Sequence, residues 1–255
     1  METRKTALVT GAAKGIGRQI AYCMAEAGYN VIVNYHSNKA AAEELCREME
    51  KFGVQTMTVY ADMGKVADIR EMYRQIFEVF QVVDVLVNNA GISSEAYFLD
   101  ATEEMFDQMT AIDWKGVYFS SQIAAKKMIE QEVKGTIINL SSNQINGCWP
   151  RATIYAPNKA AISKFTKNAA MELSLYGIRM AAIAPGYTDV GWEPGDIRLK
   201  AAERLPFRRF ATTTEIAKGV VYLASEEAAY ITGTTLVMDG GATLPVVAAN
   251  DFVED

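Results

Sequence analysis

Thr6-Ala-Leu-Val-Thr10-Gly11-Ala-Ala-Lys14-Gly15-Ile16-Gly17 is the stretch that decides the fold of this 255-residue chain. Its first residues form a short apolar run of the kind buried as a parallel strand. Three glycines follow at once, and from Ile16 to Ala27 the apolar residues recur with helical period. The glycines therefore sit at a strand-to-helix turn. There a residue without Cβ lets the backbone turn tightly and bring its N–H groups, with the helix N-terminus, against a pyrophosphate. The spacing is GxxxGxG and not GxGxxG, so the motif alone is weak evidence, and a plain helix start is the competing reading. Its place directly after the first strand favours the phosphate loop.

Working outward, six more apolar runs suit buried strands: Val31–Val33, Thr56–Tyr60, Val83–Val87, Thr136–Leu140, Met180–Ile183 and Thr234–Met238. Helical periodicity fills the gaps, over Lys39–Lys51, Val66–Phe80, Glu103–Ile129 with a break near Trp114, Ile154–Leu175 and Glu215–Ala224. Strands and helices that alternate almost throughout require right-handed crossovers, which place helices on both faces of a parallel sheet. The expectation is an α/β, doubly wound, Rossmann-type parallel sheet of about seven strands. No repeat or linker divides the chain, so residues 1–255 are expected to form a single dinucleotide-binding domain. The stretch Tyr187–Phe210, with Gly191, Trp192, Pro194, Gly195 and Pro206, shows weak periodicity and reads as a mobile substrate-side loop with a short helix.

Composition narrows the function. The chain is 50% hydrophobic and 22% charged, an ordinary globular balance. Its net charge of -6 opposes nonspecific attraction to nucleic acid or to an anionic membrane. The first residues hold no apolar run long enough for a signal peptide or membrane span, so a cytoplasmic protein is expected. Cys23, Cys46 and Cys148 are widely separated and form no CxxC pair, and His36 is the only histidine. Neither a disulfide framework, a metal cage nor a Ser-His-Asp triad fits. Proton transfer then falls to Tyr, Lys, Asp or Glu.

About 20 residues beyond the glycine loop, an NAD-binding unit carries an acid for the ribose hydroxyls. Here Asn34-Tyr35-His36-Ser37 holds no carboxylate, and Lys14 within the loop could meet a 2′-phosphate. NADP(H) is favoured over NAD(H). A solvated loop lysine is the alternative for Lys14.

Tyr155 and Lys159 are four residues apart on a predicted helix, which puts them on one face. A tyrosine hydroxyl with its ordinary pKa near about 10 exchanges protons poorly at neutrality unless a cation stabilises the phenolate. Ser142, at the end of the fifth strand, can donate a hydrogen bond to a substrate oxygen. Pro157 costs little near a helix start and places that helix's first turn at Tyr155.

The series Thr10-Gly11-Ala-Ala-Lys14-Gly15-Ile16-Gly17, Asn88-Asn89-Ala90-Gly91, Ser142, Tyr155-Ala-Pro-Asn-Lys159 and Pro185-Gly186 spans nearly the whole chain. In this order it resembles the short-chain dehydrogenase/reductase family. Trp149-Pro150 and the closing Tyr230 to Gly241 look most like the bacterial glucose 1-dehydrogenase branch, and they also resemble 3-oxoacyl-carrier-protein reductases. The resemblance implies an NADP(H)-dependent oxidoreductase that interconverts a carbonyl and a secondary alcohol of a sugar or polyol, ketoacyl or steroid-like substrate. Tyr155 would exchange the proton, Lys159 would also hold the nicotinamide ribose, and Ser142 would hold the carbonyl. Gly11, Lys14, Gly15, Ile16, Gly17, Tyr35, His36, Ser37, Asp62, Met63, Asn89, Ala90, Gly91, Pro185, Gly186 and Thr188 would border the cofactor. Asn88 is expected to tie strands together. Ser93, Gln144, Trp149, Tyr187 and Trp192 are the substrate-side candidates.

The chain departs from the family's pattern at three places. Asp113, in Ile112-Asp113-Trp114-Lys115-Gly116, stands where an asparagine commonly joins a proton relay, and it is counted among the catalytic candidates. Val190 replaces a threonine common after Pro-Gly. His36 stands where NADP-using relatives often carry arginine, and an imidazole near neutrality is only partly charged, so some NAD use is expected as well. The resemblance further implies a homotetramer built on Glu103–Ile129, Ile154–Leu175 and the last strand. The tail Ala242–Asp255 either crosses a subunit interface or frays. Two alternatives to the oxidoreductase reading stand: a noncatalytic NADP(H)-binding sensor or scaffold, and a dehydratase or epimerase on the same fold.

Overall fold

The computed structural model describes residues 4–193 and 195–244. Strands β1 (Thr6–Val9), β2 (Asn30–Tyr35), β3 (Thr56–Tyr60), β4 (Val85–Asn88), β5 (Thr136–Leu140) and β6 (Arg179–Pro185) are followed by a two-residue pair, β7 (Thr188–Asp189) and β8 (Ala211–Thr212), and then by β9 (Thr235–Met238). Seven of them form one sheet in the order β3-β2-β1-β4-β5-β6-β9. Every neighbouring pair in it is parallel. The doubly wound expectation is met.

Alternate residues of each strand face opposite cores, because side chains in a strand have a period of two. Ala7 and Val9 pack on one face with Ile20 and Met24 of α1 (Gly15–Glu26), Leu45 of α2 (Lys39–Met49) and Val220 of α7 (Thr213–Ala224). Leu8 points the other way, to Ile69 and Met72 of α3 (Val66–Val79) and Met128 of α5 (Val117–Glu130), with Ala170 of α6 (Tyr155–Leu173) in the same cluster. Leu8, Ile20, Ile32 and Leu86 have no exposed surface. Truncating such a side chain to Ala typically costs about 2–5 kcal/mol.

Three local readings are refined. The helix expected over Glu103–Ile129 does not break at Trp114. α4 (Glu103–Thr110) runs into a π-helical stretch, Ala111–Gly116, and then into α5. One extra residue in a turn rotates the side chains that follow without ending the helix. Second, α2 closes at Met49 and passes into a 3₁₀ turn, Glu50–Phe52, that ends on left-handed Gly53. Third, the weakly periodic stretch after Gly186 holds the expected short helix, a 3₁₀ helix over Ile197–Arg204, and adds a pairing of β7 with β8. Pro194 and the tail beyond residue 244 lie outside the described residues.

β1 connects outward to β2 on one side while β4 lies on the other. This reversal opens a crevice at the carboxyl ends of the strands, where ligands of open α/β sheets bind.

Candidate active site

The crevice begins with the glycine turn. Gly17 is buried in the first turn of α1, where a Cβ would meet Asn89 Nδ2 at 2.3 Å and the Gly11 carbonyl oxygen at 2.7 Å. No larger residue fits without moving backbone. The N-cap residue of α1 is Lys14, extended and with no side-chain cap on the helix. A helix N-terminus without its own cap presents partial positive charge to an anion. Both observations fit a pyrophosphate. Lys14, His36 and Ser37 are exposed, and Tyr35 is half-buried. The rings of Tyr35 and His36 both lie against Tyr60, at centroid distances of 6.1 and 6.0 Å. Arg18 is committed elsewhere, with Nη2 2.6 Å from both oxygens of Glu48.

The Asn-Asn-Ala-Gly run after β4 divides its work. Asn88 Nδ2 donates to Asn139 Oδ1 at 2.8 Å and to Ser121 Oγ at 2.9 Å, tying β4 to β5 and α5. Asn89 Nδ2 donates to the carbonyl of Thr10 at 2.8 Å, so this side chain clamps the end of β1. The backbone N–H groups of Asn89 and Ala90 both reach Thr10 Oγ1. Met63 sends its side chain into the core. Asp62 accepts from the N–H of Gly64 at 2.9 Å and stabilises its own turn.

A cavity of about 720 Å³ lies beyond these loops. Ser142, Tyr155 and Lys159 all line it, together with Ile16, Asn89, Gly91, Pro185, Gly186 and Thr188. The three proton-handling candidates come from different positions in the fold. Ser142 follows β5 and caps a 3₁₀ turn, its Oγ accepting from the N–H of Gln144 at 3.3 Å. Tyr155 opens α6, and Lys159 lies one turn further on, its Nζ 5.4 Å from the Tyr155 ring centroid. Ser141 secures this helix to β5 by donating to the Lys159 carbonyl at 2.9 Å. All five substrate-side candidates, Ser93, Gln144, Trp149, Tyr187 and Trp192, border the same cavity.

Lys159 is almost wholly buried, and its Nζ donates to the Leu140 carbonyl at 3.2 Å and lies 3.3 Å from Asp113 Oδ2. Burial pulls its pKa down, but the negative charge available at Tyr155 and Asp113 outweighs this and holds the ammonium above its ordinary value. Asp113 has no exposed surface, and its Oδ1 accepts from the N–H of Ile92 at 2.8 Å. Burial pushes its carboxyl up, opposed by the Lys159 charge and the Ile92 N–H.

Sequence reasoning missed part of the wall. Arg151 and Glu95 border the cavity and pair at 3.1 Å across its mouth, joining segments that are remote in sequence. Trp149 Nε1 donates to the Tyr187 hydroxyl at 2.9 Å, and the Tyr187 ring stacks on Phe210. Arg151 has φ of 65°, and no local signal in the sequence marks so unusual a backbone for an arginine.

Among the described residues no helix is long and apolar enough to cross a membrane, and no cluster of three His, Cys, Asp or Glu side chains is placed to hold a metal. Comparison with known proteins agrees with the geometry. Residues 11–243 match a family model described as Enoyl-(Acyl carrier protein) reductase. The 3-oxoacyl-[acyl-carrier-protein] reductase FabG of Staphylococcus epidermidis is 39% identical over 242 residues, covering 93% of this chain and 98% of the relative. Glucose 1-dehydrogenase 2 of Bacillus subtilis is 34% identical over 247 residues, covering 95% and 96%. A crystal structure of the angucycline C-6 ketoreductase LanV with bound NADP superposes with a TM-score of 0.88 at 34% identity, covering 94% of this chain and 96% of that one. With the glycine turn, the strand order and the Ser-Tyr-Lys wall in place, these matches make the chain an oxidoreductase of the short-chain dehydrogenase/reductase family.

Proposed function

We propose that this enzyme interconverts a carbonyl and a secondary alcohol with NADP(H) as its redox partner, and with NAD(H) as a weaker one. The observation that carries the reading is the convergence of Ser142, Tyr155 and Lys159 on one cavity at the carboxyl ends of the strands. In the reducing direction Tyr155 gives its phenolic proton to the carbonyl oxygen, and in oxidation it takes that proton back. Ser142 Oγ donates a hydrogen bond to the same oxygen and fixes the carbonyl beside the phenol. Lys159, as a buried ammonium, favours the phenolate form of Tyr155. When bound, the nicotinamide supplies or accepts the hydride.

Gly11, Gly15, Ile16 and Gly17 would hold the pyrophosphate, and Lys14 with His36 and Ser37 the adenosine phosphate. Asp62 and the Met63 backbone would flank the adenine, and Ala90 and Gly91 the adenosine ribose. Pro185, Gly186 and Thr188 would face the nicotinamide. The single Rossmann-type unit would work in the cytoplasm as a homotetramer. Exposed Phe98 and Leu99 before α4, and Met171 and Leu175 at the end of α6, supply apolar surface for the subunit contacts.

The test is consumption of NADPH against a panel of ketoacyl, sugar and polycyclic ketones, with an enoyl thioester included because of the matched family model. Wild type should reduce ketones, and Tyr155→Phe should lose at least about 1,000-fold in turnover while still binding NADPH by fluorescence titration. Undiminished ketone turnover in Tyr155→Phe would overturn the mechanism. Activity confined to the enoyl thioester would overturn the reaction.

A further inference from the structure

A buried carboxylate beside the site's cation has consequences for the proton that Tyr155 exchanges. Asp113 sits in the π-helical stretch Ala111–Gly116, whose extra residue turns this side chain toward α6. One oxygen is satisfied by the Ile92 N–H at 2.8 Å, while the other accepts no well-aligned hydrogen bond and faces Lys159 Nζ at 3.3 Å. Gly91 leaves room for the approach. A Cβ there would come 3.2 Å from Lys159 Nζ and 3.3 Å from Asp113 Oδ1, wedging into the pair. Lys159 is also held at the Leu140 carbonyl, so its ammonium is drawn toward β5 and the π-helical stretch.

We infer that Asp113 is a positioning residue that holds the Lys159 ammonium and offsets its field at Tyr155, so that this site works as a base at higher pH than one with an uncharged residue at 113. The inference rests on the proton-exchange role proposed above for Tyr155. A positive charge beside a phenol favours the phenolate, and a carboxylate on the far side of that charge cancels part of the effect. With both partners buried, solvent screens this cancellation little. The other titratable groups lining the cavity are Glu95, Arg151 and Tyr187. Glu95 and Arg151 are paired with each other and partly solvated, so their charges largely cancel at Tyr155. Asp113 is the charge that remains.

The experiment is the pH profile of kcat/KM for alcohol oxidation, in wild type, Asp113→Asn and Asp113→Ser. In that direction Tyr155 must be ionised, so activity rises along an acidic limb. Both neutral variants should move that limb to lower pH, by about one unit, because an unopposed ammonium promotes ionisation. Asparagine keeps an acceptor for the Ile92 N–H and nearly the same volume, so a purely structural role would lower the rate without moving the limb. A limb that stays in place or moves upward overturns the inference.

Tyrosinate absorbance of the cofactor-free protein, taken as the difference between each background and its Tyr155→Phe counterpart, reads the same ionisation without turnover. If Tyr155 ionises at the same pH with aspartate and with asparagine at 113, the inference fails even where the proton-exchange role stands. If Tyr155→Phe keeps full turnover, the failure lies in that role instead.

Discussion

Lys14 is the exposed side chain at the mouth of the glycine turn, and Arg18 one turn along the helix is tied to Glu48. An adenosine phosphate would therefore be met chiefly by Lys14, with the exposed His36 as a second group. Lys14→Ala is expected to weaken NADPH binding about tenfold, a difference of about 1.4 kcal/mol, and to leave NADH binding within about twofold. Fluorescence titration of both cofactors at two salt concentrations checks this. The NADPH advantage should also shrink at high salt, because an exposed ammonium is screened. No loss for either cofactor would return Lys14 to the status of a solvated loop lysine, and equal loss for both would move its contact to the shared pyrophosphate. At this scale the sequence was informative about residue types: Ser142, Tyr155 and Lys159 were legible as proton-handling candidates, and all three line one cavity. Their closeness was legible only for Tyr155 and Lys159, which share a helix face.

Among the elements, α7 shows how a local signal and a tertiary one combine. Thr212 Oγ1 accepts from the Glu215 N–H at 3.2 Å while a Glu215 oxygen accepts from the Thr212 N–H at 2.8 Å, a reciprocal cap. Thr212→Ala is expected to cost about 1 kcal/mol in urea denaturation. Arg209 adds a two-pronged contact to Glu215 and, with the Thr212 N–H, pulls its carboxyl down to about 2. A lowered carboxylate pKa stabilises the fold above the ordinary value of 4.5, and the contribution is lost as the pH falls toward about 2. Urea midpoints between pH 5 and pH 2.5 should therefore fall less steeply in Glu215→Gln than in wild type. A parallel fall in the two proteins would show that the exposed pair contributes nothing. The cap was present in the sequence as Thr-x-x-Glu before an apolar run, whereas the π-helical stretch was not. Its one-residue excess shifts the phase of the residues that follow, so periodicity registers only an irregularity near Trp114 and not what replaces the α-turn there.

For the whole molecule, apolar surface remains outside the two cores. Phe98 and Leu99 are 75% and 90% exposed just before α4, and Met171 and Leu175 are 79% and 85% exposed around the end of α6. Where exposed apolar side chains of this size adjoin, the surface commonly marks an interface. Light scattering is expected to give four times the chain mass of 28.0 kDa. Replacing Phe98 and Leu99 by Ser should lower that mass if this surface is buried between subunits. A monomer in the unaltered protein at micromolar concentration would exclude the tetramer.

The sequence by itself determined the doubly wound sheet and named Ser142, Tyr155 and Lys159 as proton-handling candidates, because strand and helix periods, glycines at one turn and a four-residue helical spacing are short-range information. Tertiary structure alone decided which side chains meet across the chain. It joined Asp113 to Lys159 over 46 positions, set Glu95 against Arg151 at the cavity mouth, and gave the Asn89 side chain to the end of β1. Such contacts depend on the register of strands remote in sequence and on one extra residue in a helical turn. Local pattern carries neither.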